Sequence, residues 1–439
     1  MHGALIGRAG DASQEEPVLL GRSMVVVSLG FSDARYPRLA GELFEDEQHL
    51  RWAAEDWGHL VHDRPRAVLR PGSVSDIRAM ARFAAERGIP FVPRAQGHSS
   101  GGQAQAKNGI VVDMRGLNGI DAVQSEHVVV GAGARWSEVL RATLSHGLTP
   151  PVLTDYLELS VGGTLSVGGI GGTSHRSGLQ TDNVAELEIV TEEDELRTCS
   201  RTRDSDLFDA VLGGRGRHGT IIRATLRLIP AKTCTRRYKL YYRELSPLLA
   251  DQCLLVEDGR FDHIEGHARF ADSGEWIYAM VLATHFDPGE EPDDAALLGR
   301  LGHESAEIDD MGCFDFLNQM EDDEAYLRST GAWEQPHPWL DLMLPGSAAE
   351  DFIVETMRKL VLDDIGESGL VLFYPFHTRV ITTPRVRVPA EPRAFLFSLL
   401  RTAPHDEVVV SRLVESNREL RQRALSLGGT VYLEHAESP

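Results

Sequence analysis

Three glycine-rich segments in the first half of the chain restrict the folds that it can adopt. They are residues 93–104, which contain His98, residues 160–173 and residues 212–220. Glycine lets the backbone approach a ligand closely and take up positive φ, and paired glycines form concave surfaces whose amides can converge on a pyrophosphate. Each loop taken alone is also explained by a tight turn between strands. Three such loops within one unit favour phosphate binding.

Strand and helix patterns alternate around these loops. A helix is predicted from the capping-box pair Ser73 and Asp76 to Gly88. Further elements are predicted as strands at residues 66–70, 89–93, 109–114, 127–131 and 221–229, and as a second helix at residues 137–147. This alternation indicates a layered α/β unit. Because no helix separates the third strand from the fourth, a purely parallel sheet is not implied.

Residues 130–136 partly match the glycine fingerprint of a Rossmann dinucleotide site. They follow a predicted strand, open a predicted helix, and precede Asp155 by about 20 residues, where an acid that contacts ribose is expected. Trp136 stands where the third glycine should be, and its ring would prevent close packing of the helix on the strand. The Rossmann interpretation is therefore rejected.

Composition excludes several classes of partner. With 439 residues the chain should form two or three packed units. Its net charge of −22 repels phosphate backbones, so nucleic acids are not expected as partners. The four cysteines lack CxxC spacing, which predicts neither a zinc site nor a disulfide framework and favours the cytoplasm. The N-terminus does not resemble a signal peptide, the apolar run at residues 23–30 is too short to cross a bilayer, and no membrane association or metal site is expected.

Specific motifs carry a resemblance to a known family. The chain resembles the FAD-linked oxidases of the vanillyl-alcohol oxidase and p-cresol methylhydroxylase (PCMH) superfamily, and among them most closely the cytokinin dehydrogenases. The resemblance begins near Asp46 and continues almost to the C-terminus. The matching segments are Gly97-His98-Ser99 with residues 102–104, residues 154–157, 161–166, 183–191, 206–208 and 213–219, then residues 336–340 and Tyr374-Pro375.

The resemblance implies an α+β fold of two domains. A PCMH-type FAD-binding domain is expected at residues 46–232. An α/β substrate-binding domain built on an antiparallel sheet is expected at residues 233–400. Residues 401–439 are expected to return towards the FAD domain as a C-terminal segment that lacks the family's usual tail.

The resemblance also implies a cofactor site. In the family, the histidine that corresponds to His98 is joined covalently to the 8α-methyl group of FAD. The other residues expected to bind the cofactor are Arg94, Gln96, Gly97, Ser99, Gly102, Gln103, Thr154, Gly162, Gly163, Thr164, Ser166, Gly168, Gly219 and Ile221.

The catalytic residue implied by the resemblance is Asp155. It would accept a proton from a secondary amine while hydride passes to the flavin, so that the product imine hydrolyses to an amine and an aldehyde. Burial would suit a carboxylate to this role by raising its pKa; a turn or helix-capping role is the structural alternative. Glu265, Trp339, Asp341 and Tyr374 are expected near the substrate, although Trp339 is equally explained by packing.

Two departures from the family pattern keep alternatives open. Asp341 stands where the family commonly has asparagine, so this side chain would only accept hydrogen bonds and would favour a cationic or amine-bearing substrate. The family's tail beyond residues 430–435 is missing. The chain is therefore predicted to be a cytokinin-dehydrogenase-like amine oxidoreductase with oxygen or a quinone as electron acceptor. The alternatives are an FAD-linked oxidase of another amine or alcohol in secondary metabolism, or a truncated flavin-binding protein with little activity.

Overall fold

The structure, a computed structural model, describes residues 36–271 and 273–433. The apolar run at residues 23–30 and the last part of the motif at residues 430–435 lie at least partly outside these ranges. Within the described ranges, no helix is long and apolar enough to span a membrane. The four cysteines are free thiols.

The first part of the described chain alternates short strands with short helices. Its strands are β1 (Glu42–Phe44), β2 (Ala67–Arg70), β3 (Phe91–Arg94), β4 (Ile110–Asp113), β5 (His127–Gly131), β6 (Leu148–Thr149), β7 (Val184–Val190), β8 (Leu196–Ser200), β9 (Thr220–Arg227) and β10 (Ile229–Pro230). Its helices are α1 (Glu47–Ala53), α2 (Val74–Glu86), α3 (Trp136–Leu144), α4 (Val161–Leu165), α5 (Ser174–Ser177) and α6 (Ser205–Val211), with 3₁₀ turns at Met114–Gly116 and Gln180–Asn183.

These strands form two four-stranded sheets. The first has the order β1-β2-β4-β3, in which β2, β4 and β3 are parallel and β1 is antiparallel to β2. The second has the order β5-β9-β7-β8 and is antiparallel throughout. The two-residue strands β6 and β10 pair with each other. The expectation that the unit is not purely parallel is confirmed.

The second part of the chain is built on longer strands. These are β11 (Cys234–Tyr242), β12 (His263–Phe270), β13 (Trp276–Phe286), β14 (Ser305–Gly312), β15 (Leu340–Pro345), β16 (Leu370–His377), β17 (Arg393–Leu400) and β18 (Thr430–Leu433). The helices are α7 (Leu245–Asp258), α8 (Asp294–Leu298), α9 (Cys313–Leu317), α10 (Met320–Thr330), α11 (Gly346–Lys359), α12 (Leu362–Ile365) and α13 (Glu407–Ser426), with 3₁₀ turns at Ala332–Glu334 and Thr378–Val380.

The long strands form one antiparallel sheet in the order β14-β11-β13-β12-β16-β17-β15-β18. Helices α7 and α11 pack on this sheet and bury an apolar core that includes Phe352, Phe373 and Phe397. Full burial of such a side chain contributes about 1.5–3 kcal/mol, so a core of this size holds the helices firmly against the sheet. The expected α+β class, with an antiparallel sheet in the second part, is confirmed.

The secondary-structure predictions of the first part are confirmed in place and type, with one wrong detail. Ser73 precedes α2 but makes no side-chain capping bond. Asp76 instead accepts hydrogen bonds from the backbone amides of Ala40, Gly41 and Gly72 at 2.8–2.9 Å. The carboxylate therefore anchors the chain before β1, a tertiary contact that the local spacing could not reveal.

The rejection of the Rossmann interpretation is also confirmed. Strand β5 belongs to an antiparallel sheet, whereas that fingerprint requires a parallel βαβ unit. The indole of Trp136 is fully buried and donates to the hydroxyl of Thr164 at 2.9 Å. Its ring fills the space that close helix–strand packing would need.

Strand β18 brings residues near the C-terminus to the second glycine-rich segment. It pairs with β15, and the ring of Tyr432 lies where a side chain on Gly168 would be. Helix α13 packs Leu413 against Leu60. The described part of the segment beyond residue 400 thus belongs to the large sheet and also contacts the first part of the chain.

Candidate functional site

The loop that carries His98 connects β3 to β4 and is held in place by the segment that follows α1. Asp56 accepts hydrogen bonds from the Ser99 hydroxyl at 2.9 Å and from the amide of Gly102 at 2.7 Å. The amide of Trp57 donates to the carbonyl of Gly97 at 2.9 Å. Charge-assisted bonds to a carboxylate are stronger than neutral ones. Asp56 therefore fixes the loop after His98, and the Trp57 amide fixes it before His98.

The imidazole of His98 lies in a cluster of aromatic rings. It stacks on Trp57 with a centroid distance of 4.8 Å and contacts Tyr156 at 4.9 Å. Trp339 approaches it edge-on at 6.2 Å. Burial lowers the pKa of His98 to about 3. The ring is therefore neutral at pH 7 and keeps a nitrogen lone pair, as formation of a bond to a flavin methyl carbon requires.

Beneath the loop lies the buried guanidinium of Arg94. Gly97 has a φ of +68°, and a Cβ at that position would lie 2.2 Å from Nη2 of Arg94. Nε and Nη1 of Arg94 have no hydrogen-bond partner in the described protein, and burial lowers the pKa of this group to about 10. Since buried donors are almost always paired, these nitrogens, together with the unpaired indole nitrogen of Trp57, fit a site that a polar ligand completes.

The second glycine-rich segment packs closely against its neighbours. A Cβ on Gly162 would meet the Ala132 side chain at 2.8 Å. Among the predicted cofactor ligands, the hydroxyl of Thr164 accepts from Trp136 and that of Ser166 donates to the Gly162 carbonyl. A Cβ on Gly163 would have only the Ser160 hydroxyl within 4 Å, at 2.9 Å. The side-chain hydroxyls of Thr164 and Ser166 thus form hydrogen bonds within the protein. A ligand would therefore contact this segment through its backbone amides.

The third glycine-rich segment is hydrogen-bonded to the second. The amide of Gly213 donates to the Leu165 carbonyl at 3.0 Å, and that of Arg215 donates to the Ser166 carbonyl at 2.8 Å. Gly219 has a φ of +132°, and Ile221 is buried within β9. The second and third segments therefore lie next to each other, and phosphate binding by them stays a prediction.

The predicted residues Gln96, Gln103 and Thr154 lie at the margins of the site. Gln96 and Gln103 are exposed, and Gln103 accepts from the Gly101 amide at 2.9 Å. The hydroxyl of Thr154 donates to the Tyr156 carbonyl at 3.0 Å. These contacts shape the loops, and cofactor binding by the three side chains remains a prediction.

Asp155 and Glu265 form a pair of acidic side chains within hydrogen-bonding reach of each other. Burial, followed by the neighbouring Glu265, raises the pKa of Asp155 well above its usual range. Burial also raises the pKa of Glu265. Two adjacent carboxylates cannot both ionise easily, so the charge of Glu265 makes ionisation of Asp155 harder. Tyr156, the neighbour of Asp155 in the chain, contacts His98, which links the acid pair to the predicted attachment point.

Tyr374 and Asp341 lie on the same side as the acid pair. Burial, then Asp155 and Glu265, raise the pKa of Tyr374 well above its ordinary value. Asp341 is buried on β15 and accepts a hydrogen bond from Ser398 on β17. Of the predicted substrate residues, Glu265 and Tyr374 thus lie near Asp155, Asp341 lies near Tyr374, and Trp339 contacts the rings at His98.

A cavity of about 260 Å³ opens beside Asp155. Its wall includes Asp155 and two histidines, His263 and His285, together with Phe316 and Arg176. The described residues contain no cluster of histidine, cysteine and acidic side chains that could hold a metal ion. The site accordingly offers carboxylates, imidazoles and backbone amides as its chemical groups.

Several residues at this site were not predicted to be functional from the sequence. Asp56 and Trp57 lie in a stretch without a recognisable pattern, and His337 stacks on Trp57 at 3.9 Å from the other side. Trp333 contacts Trp57 edge-on at 4.3 Å. The phenol of Tyr156 donates to Glu324 on α10 at 2.6 Å. His337 lies within the motif at residues 336–340, whereas Trp333 lies outside every motif, and nothing local indicated that either residue packs against Trp57 at the His98 loop.

Comparisons with known proteins identify the family. The family profile "FAD binding domain" matches residues 65–200, and "Cytokinin dehydrogenase 1, FAD and cytokinin binding" matches residues 268–439. Cytokinin dehydrogenase 4 of Oryza sativa subsp. japonica is 37% identical over 87% of this chain and 78% of its own length. The chain belongs to the cytokinin dehydrogenase family. It is therefore an FAD-dependent oxidoreductase of that family.

Two further relatives extend this assignment. An uncharacterized oxidoreductase, ORF5 of the fasciation locus of Rhodococcoides fascians, is 44% identical over 91% of both chains. The crystal structure of 6-hydroxy-D-nicotine oxidase from Arthrobacter nicotinovorans superposes with a TM-score of 0.69 at 21% identity, covering 89% of this chain and 87% of that one. The latter similarity establishes the shared fold of this family member. The predicted resemblance is confirmed.

Proposed function

We propose that this family member oxidises the C–N bond of a secondary amine to an imine, with Asp155 as the base. The observation that carries the proposal is the Asp155–Glu265 pair, in which Glu265 is buried, both pKa values are raised and the adjacent Tyr156 touches His98. A base with a pKa nearer to 7 is better matched to proton transfer at physiological pH.

The chain's own groups account for the proton in this reaction. FAD, when bound, supplies the acceptor for the hydride that leaves the carbon next to nitrogen. Asp155 takes the N–H proton as its own shared proton moves onto Glu265, so the substrate loses two electrons and two hydrogens. Water then adds to the imine and releases an amine and an aldehyde. The raised pKa of Asp155 makes it a stronger base than an ordinary exposed carboxylate.

We further propose that His98 attaches FAD covalently, supported by its neutral imidazole and its fixed loop. Acid precipitation followed by absorbance spectroscopy tests this: yellow colour should stay with the pellet of the wild type. His98→Ala should release the colour into the supernatant, while His146→Ala, a change at an exposed histidine, should not. Release from the wild type contradicts the linkage.

Anaerobic mixing with an N6-alkyladenine tests the reaction. The flavin absorbance should bleach with the secondary amine. It should persist with an N6,N6-dialkyladenine, which has no N–H proton for Asp155 to take. Absence of bleaching with every secondary amine would favour the flavin-binding protein with little activity. Equal bleaching by both adenines would contradict the role of Asp155.

The second candidate is oxidation of another amine or of an alcohol, and Asp341 favours it. A buried carboxylate that accepts from Ser398 offers no donor to a neutral purine. Cationic aliphatic secondary amines should then reduce the flavin faster than N6-alkyladenines. Asp341→Asn should reverse that preference, and an unchanged preference would remove the support for this candidate.

The remaining expectations are proposals as well. We propose oxygen or a quinone as the electron acceptor, a cytoplasmic location, and domains at residues 46–232 and 233–400 followed by the segment 401–439. Oxygen consumption compared with reduction of a quinone in the presence of substrate distinguishes the two acceptors. Limited proteolysis near residue 232 tests the first boundary.

A further inference from the structure

The imidazole of His263 occupies a position that only a glycine opposite it permits. His263 begins β12, and its ring lies on the backbone of Gly172 in the second glycine-rich segment. A Cβ on Gly172 would lie 2.3–2.5 Å from Cε1, Nε2 and Nδ1 of the ring. No side chain fits in that space, so Gly172 defines where the imidazole sits.

On its other side, His263 faces the acid pair and the cavity. Nε2 lies 3.4 Å from Oε2 of Glu265, and both side chains are 8% exposed. That distance is longer than an ordinary N–H···O hydrogen bond, and Nε2 has no hydrogen-bond partner in the described protein. The edge of the ring contacts Phe316 at 5.0 Å. His263 therefore contacts Glu265 on one side and lines the cavity on the other; Asp155 also lines that cavity, whereas Glu265 does not.

The reaction proposed above leaves a proton to be removed. Before turnover the acid pair holds one shared proton, and after the amine has lost its N–H proton the pair holds two. Asp155 cannot act as a base again until one of them leaves. We propose that His263 takes this proton from Glu265 and passes it to water in the cavity. This inference rests on the proposed amine oxidation.

The proton balance is simple. The Glu265 O–H bond breaks as an N–H bond forms at Nε2 of His263. The imidazolium then releases a proton from Nδ1 to water, which returns the pair to one shared proton. Proton exchange through water then moves the remaining proton from Nε2 to Nδ1 and restores the resting tautomer. No electrons move in these steps. Proton transfer from Glu265 to His263 requires that Nε2 be unprotonated in the resting protein. His263 must therefore be the Nδ1–H tautomer.

The charged groups around the imidazole of His263 are compatible with its brief protonation. Burial lowers the pKa of His263 to about 4, whereas Asp155 and Asp262 oppose that effect. The imidazole is therefore neutral at pH 7 and releases a proton readily. Six titratable or charged groups on neighbouring elements surround the imidazole of His263. They are Asp155, Glu265, Asp262, His285, His175 and Arg176.

Nitrogen-15 NMR of histidine-labelled holoprotein at pH 7 tests the resting tautomer without any substrate. The Nε2 resonance of His263, assigned by its loss in His263→Phe, should be that of an unprotonated nitrogen. An Nε2–H tautomer could not accept the proton of Glu265 and would overturn the proposal.

Comparison of the first turnover with steady-state turnover tests the relay itself. In His263→Phe, the rate of anaerobic flavin reduction should stay within about threefold of the wild type, while kcat falls by about tenfold or more because the base is not reset. His267→Phe is the matched control, since His267 lies on the same face of β12 and is influenced by Lys239 and Arg269 rather than by the acid pair. It should change neither rate.

Chemical rescue distinguishes proton transfer from packing. His263→Ala opens space beside the cavity, so added imidazole should raise its kcat, with no such effect in His263→Phe. An unchanged kcat in His263→Phe, or equal losses of kcat and of the flavin-reduction rate without rescue, would overturn the relay. If wild-type flavin is not bleached by any amine, the proposed function fails and the relay fails with it; bleaching in the wild type combined with a normal kcat in His263→Phe contradicts the relay alone.

Discussion

Replacement of Gly97 by alanine should destabilise the protein through one identifiable contact. Gly97 has a φ of +68°, and a Cβ there would lie 2.2–2.9 Å from the guanidinium atoms of Arg94. Alanine at positive φ costs about 1–2 kcal/mol. Displacement of a packed side chain adds about 1–3 kcal/mol. The free energy of unfolding of Gly97→Ala should therefore fall by about 2–5 kcal/mol.

Gly88→Ala separates the two contributions. Gly88 has a φ of +60°, and no atom lies within 4 Å of the added Cβ, so this variant should lose only the backbone contribution of about 1–2 kcal/mol. Guanidinium-chloride unfolding of the holoprotein measures both. Acid precipitation of the same samples should show less flavin attached in Gly97→Ala, because the adjacent His98 moves with the loop, and unaltered attachment in Gly88→Ala.

A double-mutant cycle identifies the contact. In an Arg94→Ala background the guanidinium is absent, so Gly97→Ala should cost no more than Gly88→Ala. If Gly97→Ala has the same cost with and without Arg94, or if it costs no more than Gly88→Ala in the wild-type background, the steric explanation is wrong.

Three further predictions concern the acid pair and its surroundings. Asp155→Asn should slow anaerobic flavin reduction by about 10²–10⁴-fold, with the flavin spectrum unchanged; a smaller loss would exclude Asp155 as the base. Glu265→Gln removes the carboxylate that raises the pKa of Asp155, so the acidic limb of the pH profile of flavin reduction should move to lower pH; a shift to higher pH would contradict the coupling. Tyr156→Phe removes the 2.6 Å bond to Glu324 and should lower the midpoint of thermal unfolding without releasing flavin, whereas release measured by acid precipitation would show that Tyr156 holds the cofactor directly.

Local motifs made part of the site predictable. His98 and Asp155 each stand within a short run of matching neighbours, and the glycine spacing around them is visible in the sequence itself. The strands on either side of the His98 loop follow from apolar runs between turn residues. Such features need only local sequence, so the five strands and two helices predicted in the first part of the chain have the expected type and order.

Contacts between segments that are far apart in the chain could not be predicted from local sequence patterns. His337 is bonded to the carbonyl of Trp57 across 280 residues, and His263 on β12 contacts Gly172 in the second glycine-rich segment. Neither histidine has a local pattern that indicates its partner. The capping-box prediction at Ser73 was wrong for the same reason, since the carboxylate of Asp76 found partners near residue 40. Tertiary structure decides which of several local options a polar side chain takes.

Strand β18 sets the order in which the molecule can be assembled during synthesis. Tyr432 packs at Gly168, and its carbonyl accepts from Arg215, 217 residues earlier in the chain. The glycine-rich segments leave the ribosome long before their partner strand exists, and contacts of such high sequence separation form late. The proposed flavin-binding surface therefore gains its contacts with β18 only after residue 432 has emerged. On that proposal, the cofactor can enter the completed site only once nearly all of the sequence described here has been translated.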